Sequence, residues 1–136
     1  MSVLSNIPAQ AVLPLSAYDL KGLRRAAEGE DQTFLYADCS AATDKKSVMA
    51  AIGDGFGLPE HFGRNLDALY DCLTDLSASR RADKPGFVIV LEKLPDLETF
   101  DATARNSLLD VFRDAADYFD DQSTGFRVFY SIARHT

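Results

Sequence analysis

A chain of 136 residues, 46% of them hydrophobic, has the usual size of a single domain and enough apolar material for one buried core. Its formal net charge of -7 and sequence pI near 4.7 argue against direct binding to nucleic-acid phosphates and favour a basic partner. No run approaches the ~18 apolar residues of a membrane span. The opening MSVLSNIPAQAVLPLS lacks the basic start and sustained apolar segment of an export signal, so a cytoplasmic protein without membrane contact is expected.

Residues 1 to 15 carry Pro8 and Pro14 and no clear periodicity, which predicts an extended N-terminal arm ahead of one domain over residues 16 to 136. Ser16 and Asp19 have capping-box spacing before Leu20, Leu23 and Ala27, so a first helix is expected over about residues 17 to 28, ended by Gly29. TFLYADC, residues 33 to 39, is short, aromatic and apolar and reads as a strand. Asp44 then caps a second helix with Val48, Met49, Ile52 and Phe56 facing inward, and Gly53, Gly55 and Gly57 are expected to break it.

Pro59 and Gly63 mark a turn-rich loop, and Asn65 is suited to cap a third helix over about residues 66 to 77. In that helix Leu66, Leu69, Leu73 and Leu76 share one side and Asp67, Asp71 and Thr74 the other, by the 100° step. SASRRADKPG, residues 77 to 86, is polar and loop-like, and FVIVL, residues 87 to 91, reads as a strand buried on both faces. A fourth helix is expected over about residues 98 to 120, followed by a last strand, FRVFYSI, after Gly125. Strands separated by helices pair in parallel through crossovers, so the expected fold is α/β with a three-stranded parallel sheet.

Residues 60 to 121 hold 14 acidic against 7 basic side chains, so this middle half carries the whole net charge. Within it, Asp67 and Asp71 lie one helical turn apart and can meet one partner together. Tyr70 stands between the acidic and leucine faces, where an amphipathic ring can anchor an interface. Asp114, in FRDAADYF, belongs to the fourth helix and could join the same surface. Each of these has a plainer reading as a solvated carboxylate or a ring covering the core edge.

Catalytic readings have less behind them. Paired carboxylates act as acid and base only where an apolar setting raises one pKa, and nothing around Asp67 or Asp71 forces that. Asp67, Asp71 and Asp75 on one helix do not make the convergent oxygen cage that hard cations need. His61 and His135 are the only histidines, and no nucleophile motif accompanies them. The glycines at 53, 55 and 57 follow a helix and precede no P-loop lysine. Cys39 and Cys72 are too few for a disulfide framework and read as packing thiols.

The segment LPEHFGRNLDALYDCLTDL, residues 58 to 76, resembles the signature segment of the barstar family, intracellular protein inhibitors of small basic ribonucleases such as barnase. The likeness continues through VLE at residues 90 to 92 and LLDVFRDA at residues 108 to 115. Residues 1 to 32 extend beyond the short members of that family, and residues 77 to 86 look like an insertion. The resemblance implies a barstar-like fold, no cofactor, no catalysis, and a monomer that forms a 1:1 complex with a basic ribonuclease or nuclease toxin.

The resemblance also implies an inhibitory interface. By motif position Asp71 takes the place of a substrate phosphate, and Asp67 is the other interfacial carboxylate of the helix. Gly63 and Asn65 match loop and cap contacts, Thr74 a further helix contact, and Asp114 an interfacial acid of the fourth helix. His61 stands where the short members have a tyrosine, Tyr70 and Leu76 where they have tryptophan, and Arg64 where they have an acid. Those substitutions keep open a module of the same fold for a different basic protein. A third reading, a metal-dependent enzyme built on Asp67, Asp71 and Asp114, belongs to another class altogether.

Overall fold

A computed structural model of the chain describes residues 3–59, 62–79 and 84–133. In chain order the elements are β1 (Gln10–Pro14), α1 (Leu20–Gly29), β2 (Thr33–Asp38), α2 (Lys45–Phe56), α3 (Leu66–Thr74), β3 (Gly86–Leu94), α4 (Ala102–Asp121) and β4 (Gly125–Ile132). Short 3-10 turns at Val3–Asn6 and Leu15–Ala17 flank β1.

The sheet is parallel throughout but has four strands, in the order β1-β4-β3-β2, and not the three expected. The added strand comes from the proline-bearing arm, where Gln10 to Pro14 pair with Phe126 to Tyr130. Its position explains why periodicity did not reveal it. β1 is an edge strand, half-buried at four of its five positions, so it has neither the apolar run of a central strand nor a clean alternation. Pro14, which has no N–H, closes the strand at that edge, where the missing donor costs least.

β3 shows why helices cover both faces. Phe87, Ile89 and Leu91 point toward α2, α3 and α4, and join Leu69, Leu73, Phe112 and Phe126 in the larger core. Val88 and Val90 point the other way, onto Leu23 and Ala27 of α1 and onto Leu4 and Ile7 of the N-terminal segment. The arm residues therefore complete the second core.

Helix boundaries follow their caps. α1 starts later than the Ser16 spacing suggested, because the Asp19 carboxylate accepts the Gly22 N–H at 3.1 Å. Asp44 caps α2 as expected, and its carboxylate accepts the Ser47 N–H at 2.8 Å. Gly53 and Gly55 lie inside α2 and do not break it; Gly57, at φ 66°, ends it in the left-handed conformation. The helical conformation there is fixed by packing. A side chain at residue 55 would run into the Tyr36 carbonyl of β2, and Gly53 lies under the Phe62 ring.

α4 is seated by an aromatic stack, with the Phe119 and Phe126 rings 5.2 Å apart and nearly parallel, and Phe87 5.1 Å from Phe119. Burying each such ring contributes about 1.5–3 kcal/mol, which fixes the helix and so aims its outer face. The helix begins after Asp101, whose carboxylate accepts the Ala104 N–H at 2.9 Å, and not near residue 98. Arg105 is the buried charge of its first turns: it donates to the Pro95 carbonyl at 2.9 Å and pairs with Asp96 at 3.0 Å. That guanidinium ties the end of β3 to the start of α4.

Candidate functional site

α3 ends at Thr74, a few residues short of the expected 77, but its two faces are as read. Leu69 and Leu73 are fully buried, Leu66 and Leu76 partly so, while Asp67 and Asp71 are exposed. The Asn65 side chain accepts the Ala68 N–H at 2.8 Å and reaches back to the Gly63 carbonyl at 3.4 Å, joining helix start to loop. Arg64, at φ 54°, takes the left-handed turn into that cap. Phe62 is buried and packs over Gly53 of α2, so the residues just before α3 are held against α2.

Asp67, Tyr70 and Asp71 of α3 and Asp114 of α4 come together in one open groove of about 690 Å³ between the two helices. Leu66 and Val111 floor it, and Asp117, Tyr118 and Asp121 continue the lining toward the end of α4. These last three escaped the sequence reading, which took only Asp114 from the exposed face of α4. The signal was present: Asp110, Asp114, Asp117 and Asp121 recur at helical spacing on the opposite face.

Other candidates lie apart from the groove. Gly63 and Asn65 are exposed in the loop ahead of α3. The Thr74 hydroxyl is turned back onto its own helix, donating to the carbonyls of Tyr70 at 3.0 Å and Asp71 at 3.3 Å. His61 and His135 lie outside the described residues. Arg64 lines a smaller pocket with Asp54, Leu58 and Phe62.

The groove is electrostatically one-sided. Among the described residues, none of its five carboxylates has a basic side chain within ion-pair distance, and the nearby Arg113 is taken up by Asp110 at 2.7 Å. Asp67 sits in the first turn of α3, where the helix dipole favours a carboxylate; Asp71 sits in the last turn, with no basic residue there, where the dipole opposes one. The surroundings register this. The half-buried Cys72 thiol is raised first by burial and then by the neighbouring Asp71 and Asp75 carboxylates. Among the described residues, no three His, Cys, Asp or Glu side chains are gathered in a way that could hold a metal ion, so the enzyme reading on Asp67, Asp71 and Asp114 lacks a centre there.

The family model for barstar, described as barnase inhibitor, matches residues 32–131. The chain belongs to the barstar family. A search of curated proteins finds no match. Barstar-family proteins are inhibitors and not enzymes, and membership implies a ribonuclease as the class of partner. The matched span takes in β2 through β4, and so both helices that form the groove, while β1 and all of α1 lie outside it. In this barstar-family chain the fourth strand is thus contributed by residues that precede the family match.

No helix among the described residues is long and apolar enough to cross a membrane.

Proposed function

We propose that this protein inhibits a small basic ribonuclease by placing α3 and the loop before it in the enzyme's active site, and that it serves as the cytoplasmic immunity partner of a nuclease toxin. A ribonuclease must present cations to hold RNA phosphates. Fixed carboxylates that meet those cations gain charge-assisted hydrogen bonds and exclude the substrate. In this reading Asp71 stands in for a phosphate, Asp67 and Asp114 flank it, and Tyr70 seals the edge. Gly63, Asn65 and Thr74 support the contact from the loop and helix, and His61 takes the motif position where short family members carry a tyrosine.

The observation that carries the reading is the exposed carboxylate set of the α3/α4 groove, which has no cation partner among the described residues. Asp71 adds to it, because a carboxylate in the last turn of a helix does nothing for the helix. Burying such a group in a complex is costly unless several donors receive it, so its geometry must be fixed beforehand; Leu69 and Leu73 fix it. The complex is 1:1 and needs no cofactor. An RNA-degradation assay with a panel of small basic ribonucleases tests this: activity of the target falls linearly with added inhibitor to an endpoint at one equivalent.

A second reading keeps the groove and changes the partner to a basic protein that is not a nuclease. It is favoured by the groove's continuation past Asp114 to Asp121, beyond the part the inhibitor reading requires. Recovery of a basic non-nuclease partner, with no ribonuclease inhibited, decides for it.

A further inference from the structure

The end of the groove that the inhibitor reading does not use has its own chemistry. Tyr118 is 37% exposed, one of two large hydrophobic side chains so exposed among the described residues, and its ring lines the groove between Asp114, Asp117 and Asp121. It is also braced. The buried Phe119 ring meets it edge-on, with centroids 5.1 Å apart and planes at 86°. Tyr70 supplies a second aromatic surface on the α3 side. A held aromatic ring beside several unpaired carboxylates suits one cation better than the other. The planar guanidinium of arginine stacks on a ring while its N–H fork engages carboxylates, whereas the compact, strongly hydrated ammonium of lysine does less of both.

We infer that the α3/α4 groove selects arginine over lysine, with Tyr118 as the specificity-determining platform and Asp117 and Asp121 as the carboxylates that orient the guanidinium. The inference rests on the groove being the partner-binding face. Asp114 and Asp121 are seven residues apart on one helix, a rise of about 10 Å, so the groove extends along α4 far enough to take a guanidinium at its Tyr118 end. The partner is therefore a basic protein that presents an arginine to the Tyr118 end of the groove.

The test uses the full chain, 15N-labelled, titrated separately with hexa-arginine and hexa-lysine peptides of equal charge. The expected result is at least ~5-fold tighter binding of the arginine peptide, with shifts centred on the amides of residues 111 to 121. Tyr118→Leu should bring the two affinities together, while Tyr118→Phe, which keeps the ring, should preserve the preference. Equal affinities for the parent protein, or a preference that Tyr118→Leu leaves intact, would overturn the inference. The two readings fail separately. Stoichiometric ribonuclease inhibition without arginine preference removes only this inference; arginine preference carried by Tyr118 without inhibition of any ribonuclease supports it and removes the inhibitor reading.

Discussion

Asp71 on α3 and Asp114 on α4 open onto the same groove, so two helices that belong to different crossovers of the sheet present their carboxylates to one volume of solvent. Neither residue has a basic partner among the described residues. Charges arranged in this way do little for the folded chain alone.

Asp71→Ala should therefore leave the protein as stable as before, or stabilise it by up to about 1 kcal/mol, since it removes an acid from the last turn of α3 and introduces a better helix former. Urea denaturation followed by circular dichroism measures this. A loss of more than about 1 kcal/mol would show that Asp71 has a structural role.

Asn65→Ala should behave in the opposite way. Its side chain satisfies the Ala68 N–H and reaches the Gly63 carbonyl, so the substitution is expected to cost about 1 kcal/mol of stability. The same denaturation experiment reads it. Asn65→Asp, which keeps the acceptor, should recover most of the loss.

Gly55 lies against the Tyr36 backbone with no room for a methyl group. Alanine gains up to about 1 kcal/mol of helix propensity over glycine, but overpacking against rigid backbone typically costs about 1–3 kcal/mol and here exceeds that gain. Gly55→Ala should lower the thermal midpoint, whereas Gly29→Ala, with open space at its Cβ, should not.

Alkaline pH should weaken the fold through the β2 end. Burial, helped by the Asp38 carboxylate, pushes the Cys39 thiol up to about 12, and burial with the hydrogen bond to Glu92 raises Tyr36 as well. An acid whose folded pKa is raised holds its proton more tightly folded than unfolded. Its contribution is thus complete below the unfolded thiol value of about 8.5 and is lost as the pH climbs toward the folded value. Thermal midpoints should be level from pH 6 to 8 and fall above about pH 9, with a shallower fall in Cys39→Ala. A level profile to pH 11 would contradict this.

Much of the site was legible because its local signals act over a few residues. Asn65 and Asp44 cap as their positions imply, and the 100° step separates the Leu69 and Leu73 side of α3 from Asp67 and Asp71. β3 announces itself because both its faces are covered. What stayed hidden depends on tertiary contact. Gln10 to Pro14 became a strand only through pairing with β4, and Gly53 and Gly55 read as breakers because their reason for being glycine is the neighbouring Phe62 and Tyr36. Arg105 is held by the Pro95 carbonyl and Asp96, which no periodicity encodes, and Tyr118 counts as exposed only once Phe119 takes the inward position.

The central claim is that the α3 carboxylates replace RNA phosphate in a basic ribonuclease. Inhibition titrations across a panel of such enzymes, barnase among them, run with the parent protein and with Asp71→Ala, test it most directly. The account predicts stoichiometric inhibition of at least one enzyme and a loss of more than about 2 kcal/mol, roughly 30-fold in the inhibition constant, on Asp71→Ala. That magnitude is set by interface hot spots generally, the barnase complex with barstar included. An inhibition constant that Asp71→Ala leaves unchanged, or a panel in which no ribonuclease is inhibited, would contradict it.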